Sequence, residues 1–100
     1  MKISKKVLMQ IKFNARFFDE LNDIKIFIAK DSNKRADIFI DEILKHCLDL
    51  KLFPYACRSS KKVKSKNARD LIYKGYVIPY LIDDEVIIIL GIYKANQWQF

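Results

Sequence analysis

Between residues 58 and 74 the chain carries Arg58, Lys61, Lys62, Lys64, Lys66, Arg69 and Lys74, opposed only by Asp70. This segment holds a net +6 of the whole chain's +7, so the basicity is a local positive potential rather than a diffuse solubility device. Such a potential attracts phosphate or an acidic protein surface. Arg58, Lys61, Lys62, Lys64, Lys66 and Lys74 are therefore candidate contacts to a target or a nucleic acid. Asp70, next in sequence to Arg69, is expected to neutralise it.

Several other chemistries are excluded by the same inventory. Gly75 and Gly91 are the only glycines, too few and too far apart for a glycine-rich loop that cradles a nucleotide's phosphates. Cys47 and Cys57 stand ten positions apart and His46 is the only histidine, a spacing that supports neither a zinc site nor a disulfide framework. No metal or cofactor is expected, and both thiols are read as reduced.

The elements that must position the cationic segment are legible from periodicity. Val7, Met9, Ile11 and Phe13 alternate with Leu8, Gln10 and Lys12, which predicts a first strand. Asn14 is a plausible N-cap for a helix whose stripe is Phe17, Leu21, Ile24 and Ile28, ending near Lys30. Asp31, Ser32 and Asn33 supply cap-type side chains. A second stripe then runs through Ala36, Ile40, Ile43, Cys47 and Leu50, widened by Phe39, Leu44 and Leu48. On the outer side of that helix Glu42 and His46 lie one turn apart, which gives His46 a structural role. The helix must stop at Leu52, Phe53 and Pro54, because proline disfavours the α conformation in the residue before it.

A loop over residues 55–67 then holds most of the basic residues. Strands are predicted over 68–73, 76–82 and 85–93, joined by Lys74-Gly75 and Asp83-Asp84, spacings that suit antiparallel hairpins. Residues 86–90 are apolar on both faces and belong to an interior strand. Pro79 implies a bulge or an unpaired position. The result is a single α+β domain over residues 1–100, ordered β-α-α-β-β-β, with a helical hairpin on one face of a mainly antiparallel four-stranded sheet. The other face is partly open and borders the basic loop. Trp98 and Phe100 are expected to dock on the core edge or to mark a partner's surface. The longest apolar run is five residues, short of the roughly 20 that span a bilayer. No signal peptide is readable, and the expected location is the cytoplasm, away from membranes.

The order of elements, together with Leu52-Phe53-Pro54, Arg58, Arg69-Asp70-Leu71, Tyr76-Val77-Ile78-Pro79-Tyr80, Asp83-Asp84 and Ile88-Ile89-Leu90-Gly91-Ile92-Tyr93, resembles the RelE/ParE superfamily of bacterial toxins over nearly the whole chain. The resemblance implies the toxin of a type II toxin–antitoxin module, neutralised by a small cognate antitoxin. It also implies one of two modes of action: cleavage of mRNA on the ribosome or poisoning of DNA gyrase.

The residues bear unequally on these two. Metal-free cleavage through the 2′-hydroxyl needs a base, cations around the pentacoordinate phosphate and an acid for the departing 5′-oxygen. Nuclease members carry an arginine after an aromatic residue on the strand following the central hairpin, where this chain has Val77 after Tyr76. Their segment resembling His-Gly-Arg-Gln corresponds to Lys94-Ala95-Asn96-Gln97, so the expected His and Arg are Lys94 and Asn96. Neither replacement titrates near neutrality. A metal-independent endoribonuclease would have to be rebuilt from a lysine among Lys61, Lys62, Lys64 and Lys66, its proton affinity lowered by like-charged neighbours, with Arg69 or Lys94 to brace the phosphate and Tyr93 as a hydroxyl donor or base-stacking ring. Tyr93 also has a simpler reading, packed on the core rim. Growth inhibition by binding, as for gyrase, asks only for shape and charge and is favoured. The alternatives are a ribosome-dependent endoribonuclease and a non-toxic nucleic-acid-binding domain.

Overall fold

The Asn14 side chain accepts a hydrogen bond from the Arg16 amide at 2.9 Å while its own backbone is extended, which turns the chain out of a strand into α1, Ala15–Ala29. Ser32 repeats the device at 3.1 Å from the Arg35 amide, and α2 runs over Asn33–Asp49. In the computed structural model, which describes residues 9–94, the two helices form a hairpin on one face of a sheet. Phe17 and Leu21 of α1 and Phe39, Ile43 and Cys47 of α2 meet Ile78, Tyr80, Ile82, Ile87 and Ile89 of the sheet in one buried cluster. Each such side chain taken fully out of water contributes about 1.5–3 kcal/mol.

The strands are β1 Gln10–Phe13, β2 Arg58–Ser59, β3 Ala68–Tyr73, β4 Tyr76–Asp83, β5 Val86–Ile89 and β6 Tyr93–Lys94. They lie in the order β1-β5-β4-β3-β2, with β6 also on β4. All pairs are antiparallel except β1 with β5. The α+β architecture is the expected one, but among the described residues the sheet has six strands rather than four. One extra strand is β2, which pairs with β3 from inside the expected 55–67 loop. The other arises because the expected 85–93 strand divides. Expected elements at Val7 and Leu8, and at Ala95, Asn96, Gln97, Trp98 and Phe100, lie outside the described residues.

The division of the last strand has a cause at Pro79. The ladder between β4 and β5 reaches Tyr80 opposite Ile89, and β6 resumes it with Tyr93 opposite Val77. Leu90, Gly91 and Ile92 therefore face only Ile78 and Pro79, one residue too many. Pro79 has no N–H to give, so the ladder breaks there and the surplus residue sits on the strand across from it. The interrupted backbone is held from outside the sheet: the Ile92 amide donates to Glu20 Oε1 of α1 at 3.0 Å.

The β3–β4 turn has positive φ at both Lys74 (48°) and Gly75 (83°). Two consecutive left-handed residues make the turn whose twist suits a two-residue hairpin. This fixes the register in which Tyr73 opposes Tyr76 and Asp70 opposes Pro79.

Candidate functional site

Strand alternation sends neighbouring residues of β3 to opposite faces. Asp70, Ile72 and Ala68 point away from the helices, opposite Pro79, Val77 and Leu81 of β4. On this outer face Val63, Ala68, Val77, Leu90 and Tyr93 form a second buried cluster, joined by Leu81 and Ile88. Arg69 points the other way. Its Nη1 donates to the Cys57 carbonyl at 3.2 Å, and its guanidinium lies 5.2 Å from the centre of the Tyr55 ring.

Asp70 consequently does not neutralise Arg69; it pairs with Arg58. Arg58 is its direct neighbour on β2. Nε and Nη2 of Arg58 donate to Asp70 Oδ2 at 3.2 and 3.0 Å, and the Lys61 amide donates to the same oxygen at 3.1 Å. The Asp70 side chain is fully buried while Arg58 is 40% exposed. Asp70 Oδ1 is buried with no hydrogen-bond partner among the described residues.

The loop over residues 60–67 is pinned above this pair. Ser60 N donates to Ala68 O at 2.9 Å, Val63 N to Ser60 Oγ at 3.1 Å, and Ala68 N to Ser65 O at 3.1 Å. Val63 plugs the outer-face cluster from the loop. Lys62 is thereby brought 5.4 Å from the centre of the Tyr93 ring. Arg58, Lys61, Lys62 and Tyr93, with Ile72, Gly75 and Val77, line a cavity of about 290 Å³. Beside Gly75 the space a side chain would take is open. Burial, and secondly the Asp70 charge, push the Tyr93 hydroxyl up from its ordinary value, with Arg58 opposing. Tyr93 is therefore a neutral hydroxyl at physiological pH, and with only 6% of its surface exposed its ring is packed rather than open to stacking.

The remaining cations go elsewhere. Lys64 and Lys66 are exposed on the loop. Lys74 is on the helix side, where its Nζ reaches Glu42 Oε1 at 3.3 Å. Glu42 also accepts from the Tyr73 hydroxyl, and the His46 ring stands 4.4 Å from the Tyr73 ring. That Tyr73 hydrogen bond, then Lys74, hold the Glu42 carboxyl below its ordinary value. Lys94 lies over the Tyr76 ring at 5.7 Å and lines a second groove with Glu20, Asp23, Ile24, Phe27, Tyr76, Ile92 and Tyr93, so that Tyr93 borders both. Of the nine singled-out residues, Arg58, Lys61, Lys62 and Tyr93 come together around one cavity, whereas Arg69, Lys74 and Lys94 are directed to the helix side. Asp70, which organises the cavity, was legible only as a partner for Arg69, because its true partner sits on a two-residue strand with no apolar pattern.

Among the described residues no group of three or more His, Cys, Asp or Glu could hold a metal ion. No helix among them is long and apolar enough to cross a membrane.

The family model of the ParE toxin of type II toxin–antitoxin (parDE) systems matches residues 11–97. The chain belongs to the ParE toxin family. Solved structures agree on the fold of this ParE-family chain. It is similar to a chain of the chromosomal ParDE toxin–antitoxin system of Pseudomonas aeruginosa, with 16% identity, 87% of this chain and 96% of that one covered, and a TM-score of 0.71. It is also similar to a chain of the toxin–antitoxin complex RelBE2 of Mycobacterium tuberculosis, with 15% identity, 88% and 99% covered and a TM-score of 0.61. A conserved hypothetical protein of Helicobacter pylori, known from its solution structure, matches with 17% identity, 88% and 96% covered and a TM-score of 0.53. A search of curated protein sequences found no significant match. The RelE/ParE superfamily is thus established for a ParE-family chain whose outer face carries the Arg58–Asp70 pair and the adjoining cavity.

Proposed function

We propose that this ParE-family chain is a growth-inhibiting toxin of the cytoplasm, held inactive by a cognate antitoxin, that acts by binding a target such as DNA gyrase rather than by cutting mRNA on the ribosome. The antitoxin partner is supported by the kinship with the ParDE and RelBE2 systems. Binding over cleavage is supported by one observation: Arg69 stands apart from Lys94 and Tyr93, which border one groove without it. Tyr93 belongs to the outer-face cluster. Arg69 faces the helix side opposite Tyr80, and Lys94 pairs opposite Tyr76. Four residues of extended strand separate the latter two positions, about 13 Å. Phosphoryl chemistry needs its groups within hydrogen-bond reach of one phosphate. A binding surface has no such requirement.

Induction of this chain alone is expected to arrest growth and inhibit gyrase supercoiling, while translated messages stay intact by primer extension. Co-expression of the cognate antitoxin restores growth. Ribosome-dependent cleavage of messages that is lost in Tyr93→Phe overturns the binding reading.

A further inference from the structure

We infer that this chain pairs with a second copy of itself: Leu52 and Phe53, in the turn after α2 of each copy, seat in the groove beside α1 of the other, and Lys51 is set against Asp23. The inference goes beyond the toxin reading and uses neither the outer-face cavity nor the basic loop.

The turn is an apolar projection. Leu52 is 60% and Phe53 71% exposed, and Tyr55 beside them is exposed as well. Single exposed apolar residues are ordinary on a protein surface, whereas contiguous large ones mark a place where something docks. The turn is also held firmly in shape. The Tyr80 hydroxyl of β4 donates to the Pro54 carbonyl at 2.6 Å, Arg69 Nη1 donates to the Cys57 carbonyl at 3.2 Å, and the Arg69 guanidinium lies 5.2 Å from the centre of the Tyr55 ring. A projection fixed before it meets its partner has less conformational freedom to lose on docking.

The groove suits such a projection. Its volume is about 410 Å³, and its apolar walls are Ile24 and Phe27 of α1 with Tyr76 and Ile92 of the sheet side. Phe27 is itself 62% exposed. The space lies within the range that accepts a bound group of substantial size, roughly 300–1,000 Å³. Its position follows from the break opposite Pro79, where Glu20 ties the Ile92 amide to α1 at 3.0 Å and so fixes one wall to the other.

Charge distinguishes this occupant from others. Glu20 engages one oxygen with Ile92 and the other with Arg16, so Asp23, exposed on the rim, is the carboxylate that meets an incoming group. The projection brings Lys51 next to Leu52. Lys94, also on the rim, is drawn over the Tyr76 ring at 5.7 Å. An apolar knob carrying a cation and an apolar groove carrying an anion are complementary in both respects, whereas an acidic segment would meet Asp23 as a like charge.

The two features sit on one rigid frame. Tyr80, which holds the turn, and Tyr76, which lines the groove, both pack against the helix-side core. Four residues of β4 separate them, about 13 Å, so the turn does not enter the groove of its own copy. A two-fold axis midway between them on the helix side sets each turn opposite the other copy's groove, giving the closed, self-complementary pairing that is commonest among homo-oligomers. The axis also doubles every contact. With Phe53, Tyr55 and Phe27 contributing at each of the two contacts, and about 150–250 Å² for a whole aromatic side chain, the buried area is on the order of the 1,000 Å² that a specific interface needs.

Sedimentation equilibrium of the purified full chain tests this. The parent is expected to be a dimer at about 100 μM, with a dissociation constant of micromolar order, as fits an interface at the small end of the specific range. Phe53→Ser is expected to weaken the dimer at least about tenfold while leaving Tm within about 2 °C, because the ring is exposed in the single copy. Lys51→Glu and Asp23→Lys are each expected to weaken it about three- to tenfold, and Lys51→Glu/Asp23→Lys in one chain, which restores the parent's net charge, to return it to within about threefold of the parent. A parent that is monomeric at about 100 μM, a dimer that Phe53→Ser leaves unchanged, or a double variant no tighter than its single variants overturns the inference. Growth into species larger than a dimer overturns the two-fold pairing.

Discussion

Arg58 and Asp70 form an unequal pair: the carboxylate is fully buried, the guanidinium is 40% exposed, and both arginine nitrogens in the pair converge on a single oxygen at 3.0 and 3.2 Å. The inequality makes the two residues non-interchangeable in their effect on stability. A partly exposed arginine that loses its partner is rehydrated where it stands. A buried carboxylate that loses its partner has no water to turn to.

Arg58→Met is therefore expected to destabilise the fold by about 3 kcal/mol, and Asp70→Asn by about 1–2 kcal/mol. For a domain of this size 1 kcal/mol corresponds to a shift of about 4–8 °C in Tm, so thermal melts resolve the two. The double variant Arg58→Met/Asp70→Asn is expected to be more stable than the sum of the single losses predicts, because the uncompensated charge is gone. Additive losses would show that the pair is not energetically coupled.

A second network is set by pH. The Tyr73 hydroxyl, and then Lys74, keep the Glu42 carboxyl ionised below its ordinary value of 4.5, so this contribution is fully present above pH 4.5 and is lost as pH falls through the lowered value. The same hydrogen bond raises the Tyr73 hydroxyl above its ordinary value of 10, so the contribution is fully present below pH 10 and is lost as pH rises through the raised value. The stability advantage of the parent over Glu42→Gln is thus expected to be greatest between pH 4.5 and 10 and to shrink on both sides. Urea denaturation at a series of pH values checks this, and an advantage that persists unchanged at pH 3 contradicts it.

The two thiols are expected to differ sharply in reactivity. Cys47 is wholly enclosed by the core and its thiol is pushed up to about 12 by burial. Cys57 is half-buried at the end of the 50–57 turn. The reactive species is the thiolate, so the native protein is expected to release one equivalent from a thiol reagent, at Cys57, and the second only on unfolding. Cys57→Ser identifies the fast site by abolishing the native-state reaction; two native equivalents would mean that the core opens around Cys47.

How far these features were legible in the sequence depends on whether a local pattern encoded them. Both helices were, since Asn14 and Ser32 cap them and the stripes from Phe17 and Ala36 face the core as spaced. Leu48 departs from its stripe and is 45% exposed, because it stands about 100° round the helix from Cys47, which with Leu50 takes the core-facing side of the last turn. The Lys74-Gly75 turn was legible for the same local reason. The division of residues 85–93 was legible only from across the ladder, where Pro79 implies a bulge or an unpaired position, since the apolar run of residues 86–90 has itself no period to reveal a break. The Arg58–Asp70 pair was not legible, because Arg58–Ser59 has no strand signature and only the β2–β3 register, with Arg58 opposite Asp70, puts the two side by side. Within the cavity, the cationic members were therefore visible by type, and the residue that arranges them was visible only in the fold.

The break opposite Pro79 supplies the last prediction. The Ile92 amide falls where β5 has ended and β6 has not begun, and its partner is Glu20 Oε1 at 3.0 Å. Glu20 is itself tied to Arg16 Nε through Oε2 at 3.0 Å, so α1 presents the acceptor already oriented. Glu20→Gln retains an acceptor oxygen and is expected to cost less than about 0.5 kcal/mol, whereas Glu20→Ala leaves a buried amide unpaired and costs about 1–2 kcal/mol. The discriminating readout is local: hydrogen exchange at the Ile92 amide is expected to accelerate markedly in Glu20→Ala and little in Glu20→Gln, while amides of β3 change only with global stability. Unchanged protection of Ile92 in Glu20→Ala would mean that the bulge is held by β4 alone.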